Sequence, residues 1–222
     1  GQSTLNAITG KGWWIGRPVE MPGSRPLRLE HGNIGSQLID WPQEHVVKCL
    51  VFYHPHDDAA LRAEQDGLIL DVWRGCNKSG HELLLEVILP EDNPDHQESY
   101  YLEIISHFYR LGVQPDWWKL PPLSLQSWQA IGAVIEQEDP WCRGILLLGL
   151  DAPEDKLKAG FRDAAQAPWV KGFAVGRTIF GQPSRQWLQG ELSDDALINQ
   201  VKNNYLTLIG YWREARPVRQ AS

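Results

Sequence analysis

The chain has 222 residues, of which 42% are hydrophobic and 22% charged, and a formal net charge of −7. That length suits one domain with its own core. The acidic balance argues against nucleic acid and against an anionic membrane surface as partners, and any anionic substrate needs a local basic pocket. The three cysteines, Cys49, Cys76 and Cys142, are odd in number, far apart and in no CxxC pair. They fit a reducing cytoplasm, and neither a disulfide framework nor a zinc site. No apolar run is long enough to span a bilayer, and no signal peptide opens the chain. Residues 1–12 are small and polar and do not begin with Met, so they read as a linker within a longer polypeptide of which this is a C-terminal domain.

Residues 13–45 form an irregular N-terminal part. Trp13–Glu20 and Pro26–Glu30 read as two short strands around a Pro-Gly-Ser turn, and Asn33–Trp41 as a helix. From residue 46 to 216 the pattern becomes regular. Val46–Tyr53 is a β-branched and aromatic strand, followed by a helix over 58–78 with Asp57 or Asp58 as its N-cap and Gly80 just past its end. Leu83–Leu89 is a second apolar strand before a helix over 95–111. Asp116–Leu120 is a third, followed by a helix over 124–137 opened by Ser124. Gly144–Leu150 is a fourth, followed by Asp151-Ala152-Pro153 and a helix to about 166. Val170–Ile179 is a fifth, and helices over about 183–189 and 194–215 close the chain.

Five strand–helix units of roughly 30 residues, with strands apolar throughout, imply a parallel sheet covered by helices. The candidates are a doubly wound sheet and a (β/α)₈ TIM barrel. The chain has neither a GxGxxG nor a Walker A motif, which weakens the nucleotide-binding folds. Charged residues inside strands favour the barrel, whose inner face converges on one site. Five units plus an irregular start are fewer than eight, so the barrel's N-terminal side is irregular, open or completed by another chain.

By strand parity, Lys48 shares a face with Leu50 and Phe52, Glu86 with Leu84 and Ile88, Lys119 with Trp117, and Arg177 with Val175. A buried charge needs a counter-ion or a ligand. One reading is a set of internal salt bridges, such as Lys48–Glu86. The other is a class I aldol cleavage. Lys119, among tryptophans at a strand end before Pro121-Pro122, is desolvated and forms the imine. Lys48 lowers the pKa of that amine by repulsion, and Glu86 moves protons. Arg177, with the backbone of Gly176 and with Gly149, grips a phosphate after the last two strands. His54 and His56 form an HxH at a strand end, which could hold a divalent metal in a hydrolase. Their further ligands are poorly placed, and Asp57-Asp58 reads as a helix cap.

The run Val47-Lys48-Cys49-Leu50-Val51-Phe52-Tyr53-His54-Pro55-His56-Asp57-Asp58 resembles a segment of the tagatose 1,6-bisphosphate class I aldolases. Leu84-Leu85-Glu86-Val87, Asp116-Trp117-Trp118-Lys119 and Gly172–Arg177 are similar to their glutamate, Schiff-base lysine and phosphate-gripping strands. Over nearly the whole chain, Trp14–Glu20, His81–Val87 and Gly172–Gly181 resemble the C-terminal aldolase-like domain of bifunctional inositol-catabolism proteins. There it is fused to a 5-dehydro-2-deoxygluconokinase-type sugar kinase. The resemblance implies a cytoplasmic Schiff-base aldolase that uses no metal and no organic cofactor. Its implied substrate is the phosphorylated keto-sugar acid 2-deoxy-5-keto-gluconate 6-phosphate, cleaved to dihydroxyacetone phosphate and malonate semialdehyde. Arg17 and Glu30 stand in for the substrate-binding residues of the aldolases' first strands, which this chain otherwise lacks. His54 stands where an acidic residue is expected. These departures leave open a non-catalytic sugar-phosphate-binding or regulatory domain attached to the kinase. A homo-oligomer is compatible with either reading.

Overall fold

A computed structural model of the protein describes residues 2–91, 93, 95–149 and 154–216, with only the backbone of Glu154. It is an α/β fold whose six strands follow one another in chain order, β1-β2-β3-β4-β5-β6. They are β1 (Ile15–Pro18), β2 (His45–Phe52), β3 (Leu83–Ile88), β4 (Trp117–Leu120), β5 (Gly144–Leu147) and β6 (Val170–Phe173). A doubly wound sheet reverses its strand order at a switch point, and this order has no reversal, so the TIM-barrel-like alternative holds. The chain divides into two compact units, Gly1–Trp118 with Ala133–Arg143, and Lys119–Gly132 with Gly144–Ser222.

In the first unit β1, β2 and β3 are parallel, with Pro18 opposite Lys48, Lys48 opposite Leu84, and Leu50 opposite Glu86. The two-residue period of β2 is visible in its burial. Val47, Cys49 and Val51 are fully buried, whereas Lys48, Leu50 and Phe52 on the other face are half-buried. Helix α1 is Gln2–Ile8, α2 Ile34–Leu38, α3 Ala59–Ser79 and α4 Ser99–Arg110. Asp58 caps α3 by accepting a hydrogen bond from Ala60 N at 2.8 Å. Gly80 ends that helix at φ 75°, in the left-handed region. Gly80→Ala is expected to destabilise the fold by about 1 kcal/mol, the penalty of a Cβ in that conformation, read as a lower urea midpoint at an unchanged m-value. From α4, Tyr100, Ile104, Ile105 and Phe108 enter the core. Phe108 stacks on Trp118, whose indole N–H donates to the Tyr109 hydroxyl at 2.9 Å.

The segment 1–12, expected as a linker, contains helix α1, and Thr9 ties the end of that helix to the start of β2. Thr9 Oγ1 donates to the Leu5 carbonyl at 2.8 Å, so it accepts from His45 Nε2 at 2.9 Å. His45 Nδ1 is then free to accept from Arg17 at 3.4 Å. His45 is 1% exposed. Burial, and then the Arg17 charge, hold its imidazole below the ordinary histidine pKa. Stability from neutral His45 is therefore full above the ordinary value and is lost as pH falls through the lowered one. Acidification from about pH 7 to about pH 5 should lower the melting temperature, and His45→Gln should flatten that dependence. Equal slopes in both proteins would exclude His45 as the cause.

The second short strand expected at Pro26–Glu30 is reduced to a single antiparallel bridge between Glu20 and Leu29. Pro22 and Pro26 have no N–H to extend a ladder.

In the second unit β5 and β6 pair in parallel, with an irregularity between Ile145 and Leu146. Helices α6 (Glu154–Gln166), α7 (Arg177–Leu188) and α8 (Asp194–Ala215) follow. Helix α5 (Leu125–Glu138) contributes to both units. Phe161 of α6 meets Phe173 at 5.0 Å and Trp212 of α8 at 5.6 Å between ring centroids. Leu150 and the Asp151-Ala152-Pro153 helix start lie outside the described residues. Among the described residues no helix is long and apolar enough to cross a membrane.

Candidate active site

Lys48 and Glu86, separated by 38 positions in sequence, form an ion pair with 2.9 Å between Nζ and Oε2. Their strands place them there. Both lie on the same face of a parallel pair, with Glu86 opposite Leu50, two residues beyond Lys48. A third group completes the cluster. Glu20, just past the end of β1, accepts from Lys48 Nζ at 2.5 Å. The side chains of Glu20 and Glu86 are 8% and 6% exposed, and that of Lys48 is 19% exposed. Burial pulls the Lys48 pKa down, but the charges of Glu86 and Glu20 outweigh it, so the ammonium is held above the ordinary lysine value. At neutral pH Lys48 is a fixed cation between two carboxylates. The second oxygen of Glu20, Oε2, is buried and has no hydrogen-bond partner among the described residues.

Sequence reasoning singled out Lys48 and Glu86 and missed Glu20. The available signal was parity. Pro18 and Glu20 are two apart, and Pro18 pairs with Lys48, so Glu20 continues the face that carries Lys48. The Pro18–Lys48 register itself could not be read from the chain.

Arg17 lies elsewhere. It packs its guanidinium over the Trp41 ring, 3.8 Å from the centroid, and bonds His45. Glu30 is exposed, and its backbone N–H donates to Val19 O.

In the second unit Lys119 is half-buried on β4 between the buried Trp118 and Leu120. Arg177, expected on the last strand, is the first residue of α7 and is exposed. Strand β6 ends at Phe173, and Gly176 stands at the N-cap of the new helix, which buries Ile179 and Pro183 instead of continuing the ladder. Gly149, expected as a strand end, lies two residues past β5. A Cβ on it would fall 2.6 Å from Val175 Cγ1 and 3.2 Å from Thr178 Oγ1, so only glycine permits that approach to the start of α7. Gly149, Gly176 and Arg177 are thus gathered at one helix N-terminus, where backbone N–H groups and the helix dipole favour anions.

His54 has both ring nitrogens engaged. Nδ1 accepts from His56 N at 3.1 Å, and Nε2 donates to the Asp95 carbonyl at 2.9 Å. His56 is exposed, and its ring packs on Tyr100. The HxH is built as a packing element and leaves His54 no nitrogen for a metal. A cavity of about 500 Å³ lies at the opposite strand ends from Lys48, lined by Trp14, His45, His81, Glu82, Asp116 and Arg143 among others. Among its acids, Glu82 is engaged with Arg143 at 2.9 Å and with Trp117, Asp116 with the Leu83 N–H, and Glu44 with the Gly10 N–H, while burial holds the Asp139 carboxyl above the ordinary carboxylate range. The Nε2 of His81 in its wall is buried and has no hydrogen-bond partner among the described residues.

The chain is similar to a crystal structure of Cgl0159 from Corynebacterium glutamicum, at 16% identity and a TM-score of 0.59. That similarity covers 93% of this chain and 70% of the other. It is also similar to fructose-bisphosphate aldolase from Plasmodium falciparum, at 10% identity and a TM-score of 0.64, covering 95% of this chain and 71% of that one. At these identities the likeness is one of fold, and the fold is aldolase-like. No curated protein matches the chain. The model of one family, described as "Uncharacterized protein conserved in bacteria (DUF2090)", matches residues 1–216, and the chain belongs to that family.

Proposed function

We propose that this chain is a class I aldolase domain, with Lys119 as the Schiff-base nucleophile, Glu86 as the acid–base group and Lys48 as the fixed cation beside it. The observation that carries the reading is the Lys48 ammonium held between buried carboxylates on the sheet face of an aldolase-like fold. The two carboxylates offset the desolvation of the cation, and buried charge clusters of this kind concentrate at functional sites. In the proposed reaction the Lys119 amine adds to the substrate ketone and loses water to give an imine. Glu86 takes the proton of the β-hydroxyl while the adjacent carbon–carbon bond breaks. The bonding electron pair moves into the imine, giving an enamine, and the aldehyde departs. The enamine carbon recovers a proton from Glu86, and water then hydrolyses the imine. Arg177 and the Gly176 backbone, with the close approach that Gly149 permits, bind the phosphate.

Within this reading the substrate is 2-deoxy-5-keto-gluconate 6-phosphate, cleaved to dihydroxyacetone phosphate and malonate semialdehyde in cytoplasmic inositol catabolism alongside a sugar kinase. That assignment is drawn from the sequence resemblance. The test is incubation with dihydroxyacetone phosphate and sodium borohydride, followed by intact mass and peptide mapping. A reduced adduct on Lys119 is the expected result. Binding of the phosphate ligand without an adduct would replace the aldolase with a non-catalytic sugar-phosphate-binding domain.

A further inference from the structure

We infer that the cavity at the N-terminal ends of β2 and β3 is a binding site for a small organic ammonium. Its volume, about 500 Å³, falls in the range of sites that hold small molecules. Its lining residues all belong to the first unit, and it lies at the opposite strand ends from Lys48. The inference therefore stands whether or not Lys119 forms an imine. Three features of the wall select the same ligand chemistry. The first is charge. Besides His45 and His81, Arg143 is the one basic residue among the described lining residues, and Glu82 pairs with it at 2.9 Å. Burial keeps His45 neutral at ordinary pH. The wall thus holds no basic side chain to balance Glu44, Asp116 and Asp139, and it attracts a cation.

The second feature is aromatic surface. Trp14, Trp73 and Trp141 line the cavity, and the face of an indole ring attracts an ammonium. Two of these rings are fixed in place. Trp73 donates its indole N–H to the Gln114 carbonyl at 2.9 Å, and Trp14 meets Trp117 edge-on with 5.9 Å between centroids. The third feature is His81, which is 6% exposed. Ser79 Oγ donates to the Cys76 carbonyl at 3.1 Å, so it accepts from His81 Nδ1, 2.8 Å away. In the neutral imidazole Nε2 is then an acceptor, and it is buried with no donor among the described residues. Leaving a buried acceptor unmatched is costly, and an ammonium brings donors only. The wall covers Nε2 itself, so a turn of the ring presents it to the ligand. An anion would add acceptors to a wall that already has an excess of them.

The test is calorimetric titration of the protein with two amines, tyramine and spermidine. Two counterparts of tyramine, the neutral 4-ethylphenol and the anionic 3-(4-hydroxyphenyl)propionate, are titrated beside them. At least one amine should bind as a single equivalent with a Kd below about 10 mM, and both counterparts at least about tenfold more weakly. Binding by neither amine, or equal binding by a counterpart, overturns the inference. Three variants then place the ligand. Arg143→Gln removes the cation of the wall and should tighten the amine about threefold, whereas weaker binding there would give the ligand the wrong charge. Trp141→Ala alters a ring that is 88% exposed, so the fold does not depend on it, and should weaken the amine about threefold. His81→Phe keeps a ring but removes the acceptor, and should weaken it about tenfold, with circular dichroism checking the fold. Should His81→Phe fail to fold, the other two variants decide. An amine whose affinity is the same in every variant binds elsewhere, and the inference falls.

Discussion

Lys119→Ala is expected to give no borohydride-trapped adduct and to lose cleavage activity by a factor on the order of 10⁶, the scale on which covalent catalysis fails when its nucleophile is removed. The same variant should keep its far-ultraviolet circular dichroism and its phosphate binding. Lys119 is half-buried on β4 between the fully buried Trp118 and Leu120, so these neighbours still anchor the strand in the variant. Lys119→Arg is the sharper partner variant. It keeps the charge and most of the packing but cannot form an imine, so it should be as inactive as alanine. If either variant retained cleavage, or if the adduct mapped to Lys48, the assignment of the nucleophile would be wrong. The second outcome is disfavoured because Lys48 is held protonated by two carboxylates, and an ammonium does not attack a carbonyl.

What the sequence revealed and what it withheld divide along physical lines. The β2 strand, α3 and its two caps are legible because each is a local signal: alternation, an aspartate before the helix, a glycine after it. The meeting of Lys48 with Glu86 follows from parity once the strands are taken as parallel neighbours. Glu20 escaped because its role depends on register between β1 and β2, a long-range property that no local pattern carries. The strand expected over Val170–Ile179 shows the opposite failure. Its apolar residues satisfy a strand pattern, but after Phe173 the same residues bury the face of a helix, and a short apolar run cannot distinguish the two. The consequence is favourable to the proposal, because Arg177 at a helix start is better placed for an anion than Arg177 on a strand. His54 and His56 looked like metal ligands by spacing, and only the bond from the His56 N–H to His54 Nδ1 reveals a packed turn.

Lys48→Met should be the most destabilising single change in the cluster. It removes the shared cation and leaves Glu20 and Glu86 facing each other with little water to screen them. Breaking a buried pair by deleting one partner costs about 3–5 kcal/mol, and the 19% exposure of the Lys48 side chain points to the lower end of that range. The dependence on pH gives the cause its signature. In the native protein Lys48 is held above the ordinary lysine value, so its contribution is complete through neutral pH and is lost only as pH rises past that value. In Lys48→Met the two carboxylates repel, and a proton on either relieves them. The variant's folded state therefore binds protons more readily than its unfolded chain, and its deficit should shrink as pH falls from about 7 to about 5. Urea midpoints of both proteins at the two pH values decide the matter. A deficit that is absent at neutral pH, or that grows on acidification, would mean that the three groups are not coupled. Lys48 would then be a lysine snorkelling to the surface over apolar neighbours, and the electrostatic basis for the site would be gone.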